Sequence, residues 1–290
     1  MSSATPPAPR QARFETWNPV TGCAKISPGC RFCFAERISQ RYGTTSLPWT
    51  EANVAANVVL HPDRLEAPLH WRKPREVFAG SMTDLFGEAV PEAYLAQVLA
   101  VMALACSSHF MIITKRAERM AALLGSAHFW ELIGRAAAAY PAAGSIEDIL
   151  QARLIPNLKL CVTVESDRFV GRVELLRATP AASRAVVAEP LLGPLPSLVF
   201  AGFDQIMVGG ESGGPPERRL VAPCSARDHA YVPTTCRACR GTGWEPKALA
   251  KEWVRDLWVR ARAAGIDFSF HQWGGPSGGA GGRVFDGGGD

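Results

Sequence analysis

Six of the eight cysteines fall into two groups: Cys23, Cys30 and Cys33 near the N-terminus, and Cys224, Cys236 and Cys239 near the C-terminus. Thiolates at short spacing are the soft ligands that iron and zinc select. In a long chain, clusters of this kind point to metal binding rather than to disulfides. The first group has the pattern C-x6-C-x2-C within TWNPVTGCAKISPGCRFCFAER, residues 16–37. Three thiolates on one loop can hold three irons of a [4Fe–4S] cubane and leave the fourth iron open to a cofactor. A structural zinc site ordinarily takes four ligands, and no neighbouring His or Cys completes such a set. Zinc completed from far along the chain, or a purely structural loop, are the alternatives. Gly22 and Gly29 each precede a cysteine and give the backbone freedom to wrap the cluster. Phe32 and Phe34 flank Cys33 and are expected to exclude water from it.

The second group reads differently. Cys236-x2-Cys239 followed by Arg-Gly-x-Gly has the shape of a zinc knuckle, with Cys224 and His229 as the remaining candidate ligands. A second iron–sulfur cluster is the alternative. Arg218, Arg219, Arg227, Arg237 and Arg240 surround this stretch, which suits phosphate contacts or a plain solvated surface. Cys106 and Cys161 stand alone in apolar stretches and read as buried small hydrophobes.

The elements that would position these residues alternate. Short apolar runs at Val77–Gly80, Phe110–Thr114, Leu158–Val164, Ala185–Ala188, Gln205–Val208 and Phe268–Gln272 read as buried parallel strands. Helical patterns at Pro91–Cys106, Lys115–Leu124, Ser166–Ala178 and Pro246–Ala264 lie between them. In the last, Trp253, Val254, Leu257 and Trp258 fit a core-facing stripe. Alternation of this kind implies an α/β fold with right-handed crossovers, a complete or partial (β/α) barrel, with an open doubly wound sheet as runner-up. Residues 14–273 form the barrel-like domain, carrying the cluster loop at 16–37 and a Cys-rich insertion at 217–246. Residues 1–13 and the Gly-rich stretch 274–290 read as flexible tails.

Polar residues recur just past the strands, where a barrel builds its site. Thr163, Glu165 and Glu189 are among them, candidates for contacts to a bound ligand. Lys115 and Arg116 could meet a carboxylate or a phosphate, or simply open a helix as solvated charges. Asp84 is a candidate proton carrier or helix cap. Gly209, Gly210 and Glu211 form a Gly-Gly-Glu step, of which the glycine pair is also an ordinary turn.

The run GC…GCRFCFAE resembles the cluster loop of radical S-adenosylmethionine (SAM) enzymes, with three more residues between the first two cysteines than their common C-x3-C-x2-C. A closer resemblance is to a phage- and prophage-associated three-Cys-motif family of unknown function. WRKPREVFAGSMTDLF (71–86), ITKRAERM (113–120), EPLLGP (189–194), VGGESG (208–213) and HQWG (271–274) follow its order over nearly the whole chain, with the Cys-rich stretch appearing as an insertion. The resemblance implies a radical-SAM-like barrel. It would place SAM on the open iron, with Gly209, Gly210 and Glu211 toward the methionyl amine, and reductive cleavage to a 5′-deoxyadenosyl radical as the chemistry. An electron donor is then required, and a nucleic acid or a partner protein is the expected substrate. A non-catalytic iron–sulfur or zinc protein that binds nucleic acid, and a cluster-bearing redox protein, are the competing readings.

Composition is permissive. A net charge of +4 over 290 residues demands no polyanion, and the hydrophobic content of 47% supports a sizeable core. No apolar run reaches the roughly 18 residues of a membrane span. The first residues lack the apolar stretch of a signal peptide, so a cytoplasmic protein is expected.

Overall fold

The computed structural model describes residues 15–214, 217, 219–223, 244–276 and 281–285. Seven strands make one parallel sheet: β1 (Glu15–Trp17), β2 (Glu76–Ala79), β3 (His109–Thr114), β4 (Leu158–Thr163), β5 (Ser183–Ala188), β6 (Gln205–Gly209) and β7 (Asp267–Gln272). The spatial order is the chain order, each strand pairing with its sequence neighbours. A doubly wound sheet reverses its order at a switch point. This sheet has none, so the architecture is that of a partial (β/α) barrel whose ends are β1 and β7. Among the described residues those ends do not pair, and the barrel is not closed.

The crossovers carry α2 (Glu92–Leu104) after β2, α3 (Ala117–Gly125) and α4 (Ala127–Ala137) after β3, α5 (Gly171–Ala178) after β4, and α6 (Ala248–Ala263) after β6; α1 (Phe34–Arg41) follows the cysteine loop. Alternation along each strand separates two apolar layers. Val77, Phe110, Leu160, Val186 and Ile206 face the helices and join the main core with Leu95, Leu99 and Ile133. The opposite face carries a smaller layer of Met111, Cys161, Ala185, Val187 and Met207, with Phe78 and Ile113 against it. Below that layer, at the N-terminal ends of the strands, Lys159 donates to Gln205 (3.0 Å) and Gln205 donates to Ser269 (2.9 Å). These contacts bridge the strands on the concave side below the apolar layer, and the larger cavity lies at the C-terminal ends of the strands.

Cys161 is fully buried in that inner layer, where burial pushes its thiol up to about 12. Cys106 differs from expectation. It lies just beyond the end of α2, in the turn that leads to β3, and is exposed. Val254 and Leu257 of α6 are buried, with Trp253 packed against the core, as the helical pattern implied. Cys224, His229, Cys236 and Cys239, with Arg218, Arg227, Arg237 and Arg240, lie outside the described residues. The segments flanking that stretch, Val221–Pro223 and Trp244–Pro246, pair antiparallel.

Candidate functional site

Cys23, Cys30 and Cys33 all line one cavity of about 170 Å³ at the C-terminal mouth of the sheet. The loop is placed by glycine and by hydrogen bonds to the turn after β2. Gly22 sits at φ +87°, and a Cβ there would stand 1.8 Å from the Asn57 carbonyl oxygen, so only glycine fits. Its N–H donates to the Met82 carbonyl (2.9 Å), and the Thr83 hydroxyl donates to the Gly22 carbonyl (2.6 Å). Asn18 ties the same turn, accepting from the Met82 N–H at 2.9 Å. On the far side of the loop, buried Glu36 of α1 pairs with Lys25 (2.6 Å) and accepts from the Trp49 N–H (2.8 Å).

Behind Cys23 lies a buried charge network. Asp84 accepts from the Thr114 hydroxyl (2.7 Å) and from the N–H groups of Lys115 (3.0 Å) and Phe86 (3.1 Å). The Arg116 guanidinium, 4% exposed, reaches Asp84 (3.5 Å), Glu88 and the Ala24 carbonyl (3.2 Å), with Nη1 3.8 Å from Cys23 Sγ. Burial pushes the Cys23 thiol up to about 12, Asp84 adding to the rise and Arg116 opposing it; burial also raises Cys33. Asp84 is thus the hub that orients Arg116 rather than a helix cap, and Arg116 is a buried support of the loop rather than a solvated helix-opening charge.

Lys115 faces the open space. It lines the small cavity with Thr163, whose hydroxyl lies 3.5 Å from its ammonium. Lys115, Cys33 and Phe78 also form a wall shared with a larger adjoining cavity of about 850 Å³. Glu189, Gly210 and Glu211 line that larger space, so these sequence candidates converge on one mouth. Glu189 accepts from Gln272 (3.2 Å) and lies 2.6 Å from His271 Nδ1, which raises the imidazole above its ordinary value. Gly209 and Glu165 do not line either cavity. A Cβ on Gly209 would lie 2.5 Å from the Glu189 carboxyl and displace that side chain, while one on Gly210 would stand 2.2 Å from the Trp273 backbone carbonyl, so close packing requires glycine at 210. Glu165, fully buried, takes a hydrogen bond from Arg172 on Oε2 (2.9 Å), while its Oε1 has no hydrogen-bond partner. It backs Gly29, where a Cβ would stand 3.2 Å from that carboxylate.

Among the described residues, no three His, Cys, Asp or Glu side chains are gathered as the ligands of a single metal ion. Phe34 is 65% exposed and does not screen Cys33 from water as the sequence suggested.

Comparison with known families matches residues 12–229, most of the chain, to a family described as "Protein of unknown function (DUF5131)". The chain belongs to this family. No curated protein and no solved structure matches it. The family segment contains the three cysteines, Asp84, Lys115, Arg116, Thr163, Glu165, Glu189 and Glu211. The β7 contribution, His271 and Gln272, lies outside it. Sequence reasoning passed over Arg37 and Arg41 of α1 and Arg283, all lining the larger cavity. Their signal was faint: two arginines four apart on a short helix ordinarily mark a solvated face.

Proposed function

We propose that this chain is an iron–sulfur protein of the radical-SAM type, holding a [4Fe–4S] cluster on Cys23, Cys30 and Cys33. One observation carries the reading: three cysteines line a single cavity at the C-terminal mouth of a partial barrel, beside a second cavity large enough for an organic ligand. The residues suit the group. The donors are all thiols, Asp84 is already engaged by its own partners, and Arg116 supplies positive charge next to Cys23. A cubane takes its thiolates at separate corners, so the sulfurs need not converge as they would on one zinc ion. Bound there with SAM, the cluster would supply reductive cleavage to a 5′-deoxyadenosyl radical.

The chain's own part is positional. Gly22 and Glu36 fix the two ends of the loop. Arg116 opposes the charge of the thiolates in a site where burial disfavours them. Lys115 presents a cation at the junction of the two cavities, placed for a SAM carboxylate. Thr163 lines the small cavity, and Glu189 and Glu211 line the larger one. Cys224, His229, Cys236 and Cys239 remain the candidates for a separate zinc site.

The test is anaerobic reconstitution with iron and sulfide, followed by EPR of the reduced protein with and without SAM. A cubane signal that changes on adding SAM, and is absent in Cys30→Ala, is the expected result. A cluster indifferent to SAM would leave a redox protein instead. Retention of zinc alone at the N-terminal cysteines would refute the reading.

A further inference from the structure

We infer that the larger cavity and the face of α1 above it bind single-stranded nucleic acid, with arginines on the phosphates and exposed aromatic rings against the bases. The inference begins with α1. Residues 34, 37, 38 and 41 recur at helical spacing and share one face, and Phe34, Arg37, Ile38 and Arg41 all line the cavity of about 850 Å³. Much of that face is open, although the Arg37 guanidinium also lies close against Gly213. Phe34 is 65% exposed, and Tyr42, beside Arg41, is 70% exposed. Among the described residues, Arg37 and Arg41 make no ion pair, nor does Arg283, which also lines the cavity.

The charge balance at the mouth favours an anion. Among the described residues, Arg37, Arg41, Arg283 and Lys115 line the cavity against two carboxylates, Glu189 and Glu211. Glu189 is held by His271 and Gln272, and Glu211 is only 4% exposed. Lys115 would serve the single carboxylate of a small cofactor; the three arginines beyond it suit a repeated anion. The Cβ atoms of Arg37 and Arg41 stand about 6 Å apart, comparable to successive phosphates on an extended strand.

The rings make the class narrower. Phe32 and Phe34 line the cavity together with Arg37 and Arg41, and Arg41 lies over the adjoining Tyr42 ring (5.9 Å), so cations and aromatic rings interleave at this side of the mouth. Interleaved arginine and aromatic side chains are the equipment of single-strand binding, where bases stack on rings and the backbone follows positive charge. A duplex would keep its bases inside the stack, away from a recessed mouth floored by Lys115. An acidic peptide would satisfy the arginines but make no use of the exposed Phe34 and Tyr42 rings. That this ligand is the substrate rests on the proposed chemistry; that it binds does not.

The experiment is fluorescence anisotropy of the full chain with a labelled single-stranded oligonucleotide of about 12 nucleotides. It is run on the iron-free and the reconstituted protein, with iron content measured separately. A missing cluster then shows as missing iron, and failure of this inference as missing anisotropy change. We expect binding that weakens with salt. In the Arg37→Gln/Arg41→Gln variant the slope of log K against log salt should become shallower by about 1.4, from about 0.7 per phosphate contact. Phe34→Ala should weaken binding about fivefold or more. These side chains are exposed, so circular dichroism should show both variants folded. Absence of binding at low salt, or binding unchanged in both variants, would overturn the inference. Competition by duplex or by poly-glutamate as strong as by the unlabelled single strand would overturn it as well.

Discussion

Arg116→Met should destabilise the fold by about 2–4 kcal/mol and loosen the cysteine loop. Its guanidinium is 4% exposed and touches Asp84, Glu88, the Ala24 carbonyl and the Cys23 sulfur. Removing one partner of a buried ion pair costs about 3–5 kcal/mol, because the other charge is left in low dielectric. Two features reduce that figure. Asp84 keeps three hydrogen bonds, from Thr114, Lys115 and Phe86. The Glu88 side chain is 63% exposed, so its pair with Arg116 contributes only about 0–1 kcal/mol. Methionine keeps most of the stem's packing. With a urea m-value of about 3 kcal/mol/M, the midpoint should fall by about 1 M at unchanged slope. Asp84→Asn in the same background should cost less than the two changes added separately, since the first has already broken the pair. The variant should also retain less iron after reconstitution. A loss under about 0.5 kcal/mol, additive with Asp84→Asn, would show that the network does not hold the loop.

Other outcomes follow from single contacts. Gly210→Ala places a Cβ 2.2 Å from the Trp273 carbonyl oxygen. It should cost about 3 kcal/mol or more in thermal or urea unfolding without any ligand present, which separates packing from a ligand role. The hydrogen bond to Glu189 raises the His271 pKa. Its stabilising contribution is therefore complete below the unfolded value near 6.5 and is lost as pH rises through the folded value. NMR titration should find His271 above 6.5, and Glu189→Gln should bring it down. Cys161→Ser buries a hydroxyl in an apolar layer and should cost about 1–3 kcal/mol, with iron loading unchanged.

The sequence carried most of the sheet and a complete or partial barrel, without choosing between the two. Six strands were legible because β2 to β7 are apolar runs ended by polar residues. β1 was not, since three residues, Glu15–Trp17, are too short for a period and only Trp17 is buried. α4 was missed because Ala127–Ala137 adds a second helix to a crossover that one helix would complete. Strand order is a tertiary property: alternation of strand and helix serves a barrel and a doubly wound sheet alike. At the site, cysteine spacing announced the loop. What stands behind it did not show, because the Asp84–Arg116 contact joins residues 32 apart in sequence. Cys106 misled for a similar reason. Its apolar neighbours belong to α2, while it lies in the turn just beyond.

An open barrel has two raw margins, and each invites a second chain to add a strand. At β1 the margin is only three residues long and carries Glu15, paired with Arg75. At β7 the margin is six residues, with Phe268 and Phe270 among them. Residues 281–285 cover this flank. Phe285 sets its ring within 5.7–6.3 Å of Trp258, Phe268, Phe270 and Trp273, and the Trp273 indole donates to the Val284 carbonyl at 3.0 Å. The same Trp273 carbonyl crowds Gly210 at the mouth. Protection against edge-to-edge self-association thus depends on a short clasp outside the segment that defines the family. Shortening the chain before residue 281 would expose that aromatic strip and raise the tendency to self-associate, while disturbing the wall of the larger cavity.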